Sequence, residues 1–559
     1  MFSFSTFPTA TLGLGALLCA ACTGMGPKSD LTPAPQVFYT VTGEIALARK
    51  EPRVAALQYA SAAAHETDAA ILQRAAEVTA QTLQPSLEAE VAQRWIEVEP
   101  KSVEAQRAAA RAALALYKID AAAAHYRLVL LNSPLGTDAE FAALETDLGS
   151  DESVFGAHQV ADRLAEYFPT SHAALRLQGL TALRADDPAA AVRSLTEAQS
   201  IDASAHKDLS QTLKRARILA GDIEAPLKTA EAQTKAEDVP ANRFEYAVLL
   251  MAAQRYNEAL QQFEILARNS ESAPVALRLM GIIEFQQGHF DAASVKFRQL
   301  LKTGKFQDDA FYYLALIADR NEDAERALRF YAQVRSGENV VPALLRAAAL
   351  LQSNGAPSAA DELLDRLLDD EPQRAPEILT ARARIYQQAN DFSRAFAVLE
   401  QGELQYPDSV ELHYATASVY EDEGQLAAAL RELKRVLKAR PNDPAAMNAL
   451  GFTLADHDKE LSKARKLIER AYAAAPKNAA ILDSLGWVLF RQGHATEAIP
   501  YLTLAYADDR GGDIAAHLGE VWWTLGKQSE AQRIWTEASR IDTDNHLLKS
   551  TRQRLNPSH

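Results

Sequence analysis

The chain has 559 residues, 48% of them hydrophobic and 24% charged, which is more than one core usually organises and too apolar for a largely disordered chain. Its formal charge of −16 repels phosphate backbones, and with no local basic patch a nucleic-acid partner is excluded. Both cysteines, Cys19 and Cys22, lie at the extreme N-terminus, so no structural disulfide, zinc ribbon or cysteine nucleophile can form beyond residue 22.

Residues 9–21, TATLGLGALLCAA, form an apolar stretch of signal-peptide length, too short to span a bilayer as a stable helix. Ala20 and Ala21 before Cys22 resemble a bacterial lipobox, in which the cysteine is lipidated and becomes the mature N-terminus. Two residues depart from that pattern: no Lys or Arg precedes the apolar run, and Cys19 stands where leucine is usual. The resemblance implies a signal peptide over 1–21 and lipidation of Cys22. Because Thr23 rather than aspartate follows, it also implies sorting to the outer membrane, facing the periplasm. An ordinary cleaved signal is the competing reading. Residues 22–36, rich in Gly, Pro and Ser after the cysteine, read as a tether reaching at most about 45 Å at roughly 3.3 Å per residue.

From residue 37 the chain reads as helix. Alanine-rich runs such as AQRAAARAALALY favour it, and β-branched runs at strand spacing are nearly absent. A pattern then recurs: a small residue, an alanine about twelve later, and a large apolar residue four after that. Gly43, Ala55 and Tyr59 begin it; Ala110, Ala122 and Tyr126, closed by Pro134, repeat it; Gly179, Ala191 and Leu195 follow. Units near 67–100, 135–169 and 204–236 keep the length of a helix pair and lose most of the signature.

From residue 237 the pattern becomes regular. Ala259, Ala293, Ala327, Ala360, Ala395, Ala429, Ala464, Ala498 and Ala531 recur at steps of 33 to 35. Each is followed by a large residue, from Phe263 and Phe297 to Leu502 and Trp535. Gly451 precedes Ala464 by thirteen, which implies one inserted residue. Small residues let two antiparallel helices cross closely, and the large residue fills the space against the next unit. Gly288, Gly355, Gly424, Gly493 and Gly526 supply a left-handed residue that ends each first helix. Pro372, Pro407, Pro441 and Pro476 stop the second. The pattern resembles the tetratricopeptide repeat. The fold expected is an all-α superhelical solenoid of about fifteen helix pairs: degenerate repeats over 37–236, regular repeats over 237–543, and a polar capping helix within 544–559.

Catalytic chemistry is not legible. The 12 histidines are scattered without metal-ligand spacing, and His457, His494 and His517 fall near turns or on helix faces. Ser204 and Lys207 match SxxK without a companion motif, and Ser204 sits where a helix would be capped. No enzyme, cofactor, metal or small-molecule substrate is expected. A tetratricopeptide superhelix lines its concave face with the first helix of each unit. Taking the small residue as position eight, positions five, nine and twelve point into the groove. In the C-terminal units these are Asn448 and Phe452, then Asp483, Trp487 and Phe490, then Ala516, Glu520 and Trp523. Exposed aromatics beside amide and carboxylate groups have the composition of binding hot spots. Trp487 and Trp523 also suit a position packed between units, and Trp522, at position eleven, suits the core.

The wording of residues 444–543, NALGFTLAD, ILDSLGWVLFRQGH and AAHLGEVWWTLGK, is similar to the C-terminal repeats of a proteobacterial lipoprotein family that includes LbcA. FYTVTGEIALARKEPRVAALQYASAA is similar to that family's opening unit. The resemblance implies an outer-membrane, lipid-anchored adaptor that presents cell-wall hydrolases to a periplasmic carboxyl-terminal processing protease. An assembly scaffold for envelope export or polysaccharide secretion is the alternative. Either role requires a continuous spiral whose inner wall is free to grip a polypeptide.

Overall fold

The computed structural model describes residues 36–150, 153–201, 206–541 and 545–556, and every regular element among them is a helix. Cys22, the signal segment, Ser204 and all of the tether except Gln36 lie outside the described residues. Thirty-one α-helices, numbered α1 to α31 in chain order, run from Gln36–Ala48 to His546–Leu555. In chain order the first thirty make fifteen helix pairs, the solenoid anticipated from the periodicity, and most pairs are packed hairpins. The exceptions are α7 (Thr137–Ser150), which packs mainly on α9 (His172–Arg184), and α11 (His206–Leu219), which packs on α10 (Pro188–Ile201) and not on α12 (Glu224–Ala236).

Each hairpin turns through a short link. In the fourteen turns described in full, the second residue has φ between +53° and +96°, from Lys50 through Gly288 to Gly526. Glycine adopts this left-handed backbone without steric cost, and it occupies the position in six of the fourteen. The inserted residue is found between α25 (Pro444–Asp456) and α26 (Leu461–Ala474), where the link has four residues and both Asp458 and Glu460 have positive φ. The closing prolines lie two residues beyond a second helix. Pro407 follows α22 (Phe392–Gln405), Pro441 follows α24 (Leu426–Ala439) and Pro476 follows α26.

The small–large pairing works chiefly inside each unit. Gly281, on α15 (Ala273–Gln286), faces Phe297 on α16 (Phe290–Lys302), and a Cβ added there would lie 2.7 Å from the ring. Gly486 is covered in the same way by Leu502, and Gly519 by the Trp535 indole. The large residue then meets the next unit as well. Phe297 also stacks on Tyr313 of α17 (Gln307–Arg320), with centroids 4.8 Å apart and the rings nearly parallel. The phenyl ring is fully buried, so hairpin closure and unit stacking share one side chain.

The spiral also touches itself, which its periodicity did not announce. At the start of α4 (Pro85–Val98), the Ser86 backbone N–H and hydroxyl donate to the Asp408 carboxylate at 3.1 and 2.7 Å. At the end of α5 (Val103–Ala115), Arg440 donates to the Ala115 carbonyl at 2.7 Å. Gln84, fully buried, donates to the Gln405 carbonyl at 2.7 Å and accepts from Arg53 at 2.6 Å. Lys50 pairs with Asp369, and Lys477 approaches Asp187 at 3.9 Å. The partners ascend together, about 320 residues apart for those flanking α4 and α5, so the N-terminal turn lies in parallel register against the C-terminal one. The seam uses groups that helix ends leave unsatisfied: a carboxylate on free N–H groups and a guanidinium on a terminal carbonyl. The N-terminal turn also reaches the C-terminal core, against which Phe155 packs.

Candidate protein-binding groove

Curvature decides which helices form the inner wall. In the C-terminal half, first helices pack on one another at two steps, α21 (Ala375–Gln388) on α23 (Val410–Asp422) and α25 on α27 (Ala479–Arg491), whereas α23 and α25 stand further apart. The second helices α22 and α24 stand apart too. Elements on the inside of a bend are the closer ones, so α23, α25 and α27 line the concave face. Their starts are fixed locally. Asp443 accepts from the N–H groups of Ala445 and Ala446 ahead of Pro444, and Asn478 accepts from the Ile481 N–H.

Asn448 and Phe452, expected to face the groove, lie on α25 at the wall of a cavity. Both line it, about 400 Å³ in volume, together with Tyr414, Glu421, Ile481 and Phe155. The first five belong to α23, α25 and α27, whereas Phe155 comes from α8 (Val154–Tyr167) in the N-terminal turn. The Asn448 Oδ1 and the Tyr414 hydroxyl are buried without a hydrogen-bond partner. Burial pushes the Tyr414 phenol up from its ordinary value. It also raises the Glu421 carboxyl, against the opposing pull of His457, whose Nε2 lies 2.8 Å away.

Asp483 and Trp487 are placed otherwise. They are only 6% and 5% exposed and join neighbouring units instead of facing a partner. The Trp487 indole N–H donates to Asp456 of the preceding unit at 2.9 Å, and its ring stacks on His517 of the following unit with centroids 4.1 Å apart. His517 Nδ1 lies 2.9 and 3.0 Å from the two Asp483 oxygens. Burial disfavours a charged His517, but the Asp483 carboxylate outweighs it and holds the imidazole above its ordinary pKa. Half-buried Phe490 leans on Trp487, with centroids 5.3 Å apart, and Phe452 approaches His517 at 5.9 Å. The expectation that Asp483 and Trp487 are exposed in the groove is therefore corrected: they form an inter-unit clamp. Of the two positions open to Trp487, the structure shows the packed one.

Glu520 and Trp523 are engaged at the C-terminal end. Arg554 of α31 donates to Glu520 at 2.6 Å, and Trp523 stacks on Trp535 with centroids 5.6 Å apart. Trp522 is half-buried, packed on the core with the Lys527 ammonium 4.5 Å from its ring. Tyr414, Ser418 and Glu421 were missed although the signal was available. With Ala417 as position eight, they are positions five, nine and twelve one unit earlier. Phe155 had no such signal, because its approach comes from a different turn of the spiral.

Residues 278–339 and 453–514 match one tetratricopeptide-repeat family model and 386–451 match another. These segments are tetratricopeptide repeats, and the described residues form an all-α solenoid of helix pairs. Over 213 residues it is 30% identical to the TPR repeat-containing protein PA4667 of Pseudomonas aeruginosa, a match spanning 38% of this chain and 36% of that protein. Among solved structures, yeast Tom70 is 14% identical with a TM-score of 0.31, over 93% of this chain and 97% of that one. TTC0263 of Thermus thermophilus is 18% identical with a TM-score of 0.29, over 31% and 95%.

Proposed function

We propose that this chain is a lipid-anchored scaffold at the periplasmic face of the outer membrane, held through Cys22. In this reading it brings cell-wall hydrolases to a carboxyl-terminal processing protease. The observation that carries protein binding is the cavity on the concave wall, which is largely apolar and lined by Phe452, Ile481, Tyr414 and Phe155 with Asn448 and Glu421 as its polar members. The anchor and the protease rest on the lipobox resemblance and on the wording of residues 444–543. Nothing in the mechanism needs catalysis by this chain. Binding both enzyme and substrate on one tethered body raises the local concentration of each for the other.

Affinity capture of the tethered protein from envelope extracts tests this. A processing protease and a hydrolase should be recovered together, with the hydrolase lost when Phe452→Ala and Asn448→Ala are introduced. Recovery of export or polymer-synthesis proteins in place of a protease would overturn the adaptor role. Cys22→Ser should release the protein from the membrane fraction, and unchanged fractionation would refute lipidation there.

A further inference from the structure

We propose that the cavity between α23, α25, α27 and Phe155 is a composite pocket for an aromatic side chain of an extended polypeptide, completed only when the two turns of the spiral are closed on each other. The proposal rests on the inner wall being a protein-binding surface and names what that surface recognises.

The walls select the anchor. Ala417, Leu433, Phe452 and Ile481 offer apolar contact, and Phe452 and Phe155 bring two rings to which a third can pack edge or face. The volume, about 400 Å³, lies toward the lower end of the roughly 300–1,000 Å³ of ligand cavities, which suits one side chain with its flanking peptide units better than a large cofactor. Glu421 at the wall disfavours an acidic anchor. The Asn448 Oδ1 and the Tyr414 hydroxyl lie unpartnered behind the cavity wall, so a rotation of either side chain is needed to bring it to the N–H or C=O of a flanking peptide unit.

Completion of the pocket depends on the seam. Phe155 comes from a unit about 260 residues or more before the other lining residues. Its helix α8 packs on α5, whose last carbonyl is held by Arg440. A ligand that touches both turns binds the closed spiral better than an open one, so occupancy and closure favour each other.

The test titrates N-acetyl-L-phenylalaninamide, which carries the ring, the N–H and the C=O, into the full chain while following the methyl resonances of Leu433 and Ile481. Saturable binding in the millimolar range is expected, with none for N-acetyl-L-alaninamide. Phe155→Ala should weaken binding about tenfold with helix content unchanged, and Phe155→Leu, which keeps most of the bulk, by less. Arg440→Ala, which does not touch the cavity, should weaken it about threefold by releasing the seam. Absence of saturable binding, unchanged or tighter binding by Phe155→Ala, or an Arg440→Ala chain that binds as the parent does would each overturn the composite pocket. The two readings separate cleanly. Partner capture lost with Phe452→Ala but indifferent to Phe155→Ala sinks the pocket and leaves the scaffold standing. Binding of the probe without capture of any protease or hydrolase does the reverse.

Discussion

The N-terminal and C-terminal turns of the spiral differ most at one position, the left-handed residue inside each hairpin. In the later units it is glycine in five of nine, among them Gly355, Gly424, Gly493 and Gly526, beside Gln254, Glu322, Asn390 and Asp458; in the early described turns it is Lys50, Leu83, Tyr117 and Asp186, with Gly221 the exception. Those early side chains sit at the seam. Leu83 packs on the cluster around Tyr406 and Leu412, Tyr117 is buried near Arg440 and Asp443, and Asp186 adjoins the Asp187 that faces Lys477. Forcing a non-glycine residue into this backbone costs on the order of 1–2 kcal/mol, so a side chain is retained where it contributes something glycine cannot. Degeneracy in the first units is thus not simple decay of a repeat. It marks the edge along which one turn rests on the other.

The comparison breaks most visibly at Trp487. If the C-terminal inner wall is a clamp between units, Trp487→Ala removes a buried indole, its bond to Asp456 and the stack on His517. Local stability of α27 and α29 (Gly512–Thr524) should fall by about 3–5 kcal/mol, read as lost hydrogen-exchange protection confined to those units. A loss below about 1 kcal/mol, accompanied by failed partner capture, would restore Trp487 to the groove as a binding residue.

A second, smaller effect concerns the same clamp and pH. The folded pKa of His517 is raised, so the folded chain holds the proton more tightly than the unfolded one. The stabilisation is fully present below the ordinary histidine value of about 6.5 and is lost as pH rises through the elevated folded value. Exchange protection of α27 and α29 should therefore decline from pH 6 to pH 9 after correction for intrinsic exchange. His517→Gln should flatten that decline, and an unaltered slope would assign it to other groups.

At the seam, Asp408→Ala removes the acceptor for the first turn of α4, a helix 322 residues away in sequence. Loss of a cap of this kind costs about 0.5–2 kcal/mol. Protection should fall in α4, and the radius of gyration by small-angle scattering should rise as the turns part. A response limited to the units around residue 408 would show that the two turns are not coupled.

These contrasts explain what the sequence could and could not disclose. Hairpins, turn positions and the extra residue between α25 and α26 were legible because each is written at a fixed offset within one unit, as Gly281 is to Phe297. The count that brings Asn448 and Phe452 to the cavity wall also reaches Tyr414 and Glu421 one unit earlier. Exposure was misjudged because Trp487 and Asp483 find partners one repeat away: Asp456 lies 31 residues before Trp487, and His517 lies 34 after Asp483. Like positions in successive units face each other, so a polar residue recurring at the repeat length is a cue to burial. The seam has no such period. Ser86 and Asp408, or Ala115 and Arg440, are brought together only by the accumulated curvature of many units, and no local pattern encodes that sum.

The smallest effects weigh the two kinds of turn directly. Gly424→Ala places a Cβ on a backbone with φ of +79°, where nothing lies within 4 Å to obstruct it, so the cost is conformational alone, about 1 kcal/mol. Lys50→Ala leaves a backbone with φ of +57° still occupied by a side chain and deletes an ion pair to Asp369 whose partners are 67% and 59% exposed. Water and salt screen such a pair, so the change should stay within about 0.5 kcal/mol and shrink further at high ionic strength. If Lys50→Ala instead parts the turns as Asp408→Ala does, closure depends on surface charge along the whole edge. If it does not, the seam is held where helix ends meet it, at α4 and α5, and the edge residues between them only trace its path.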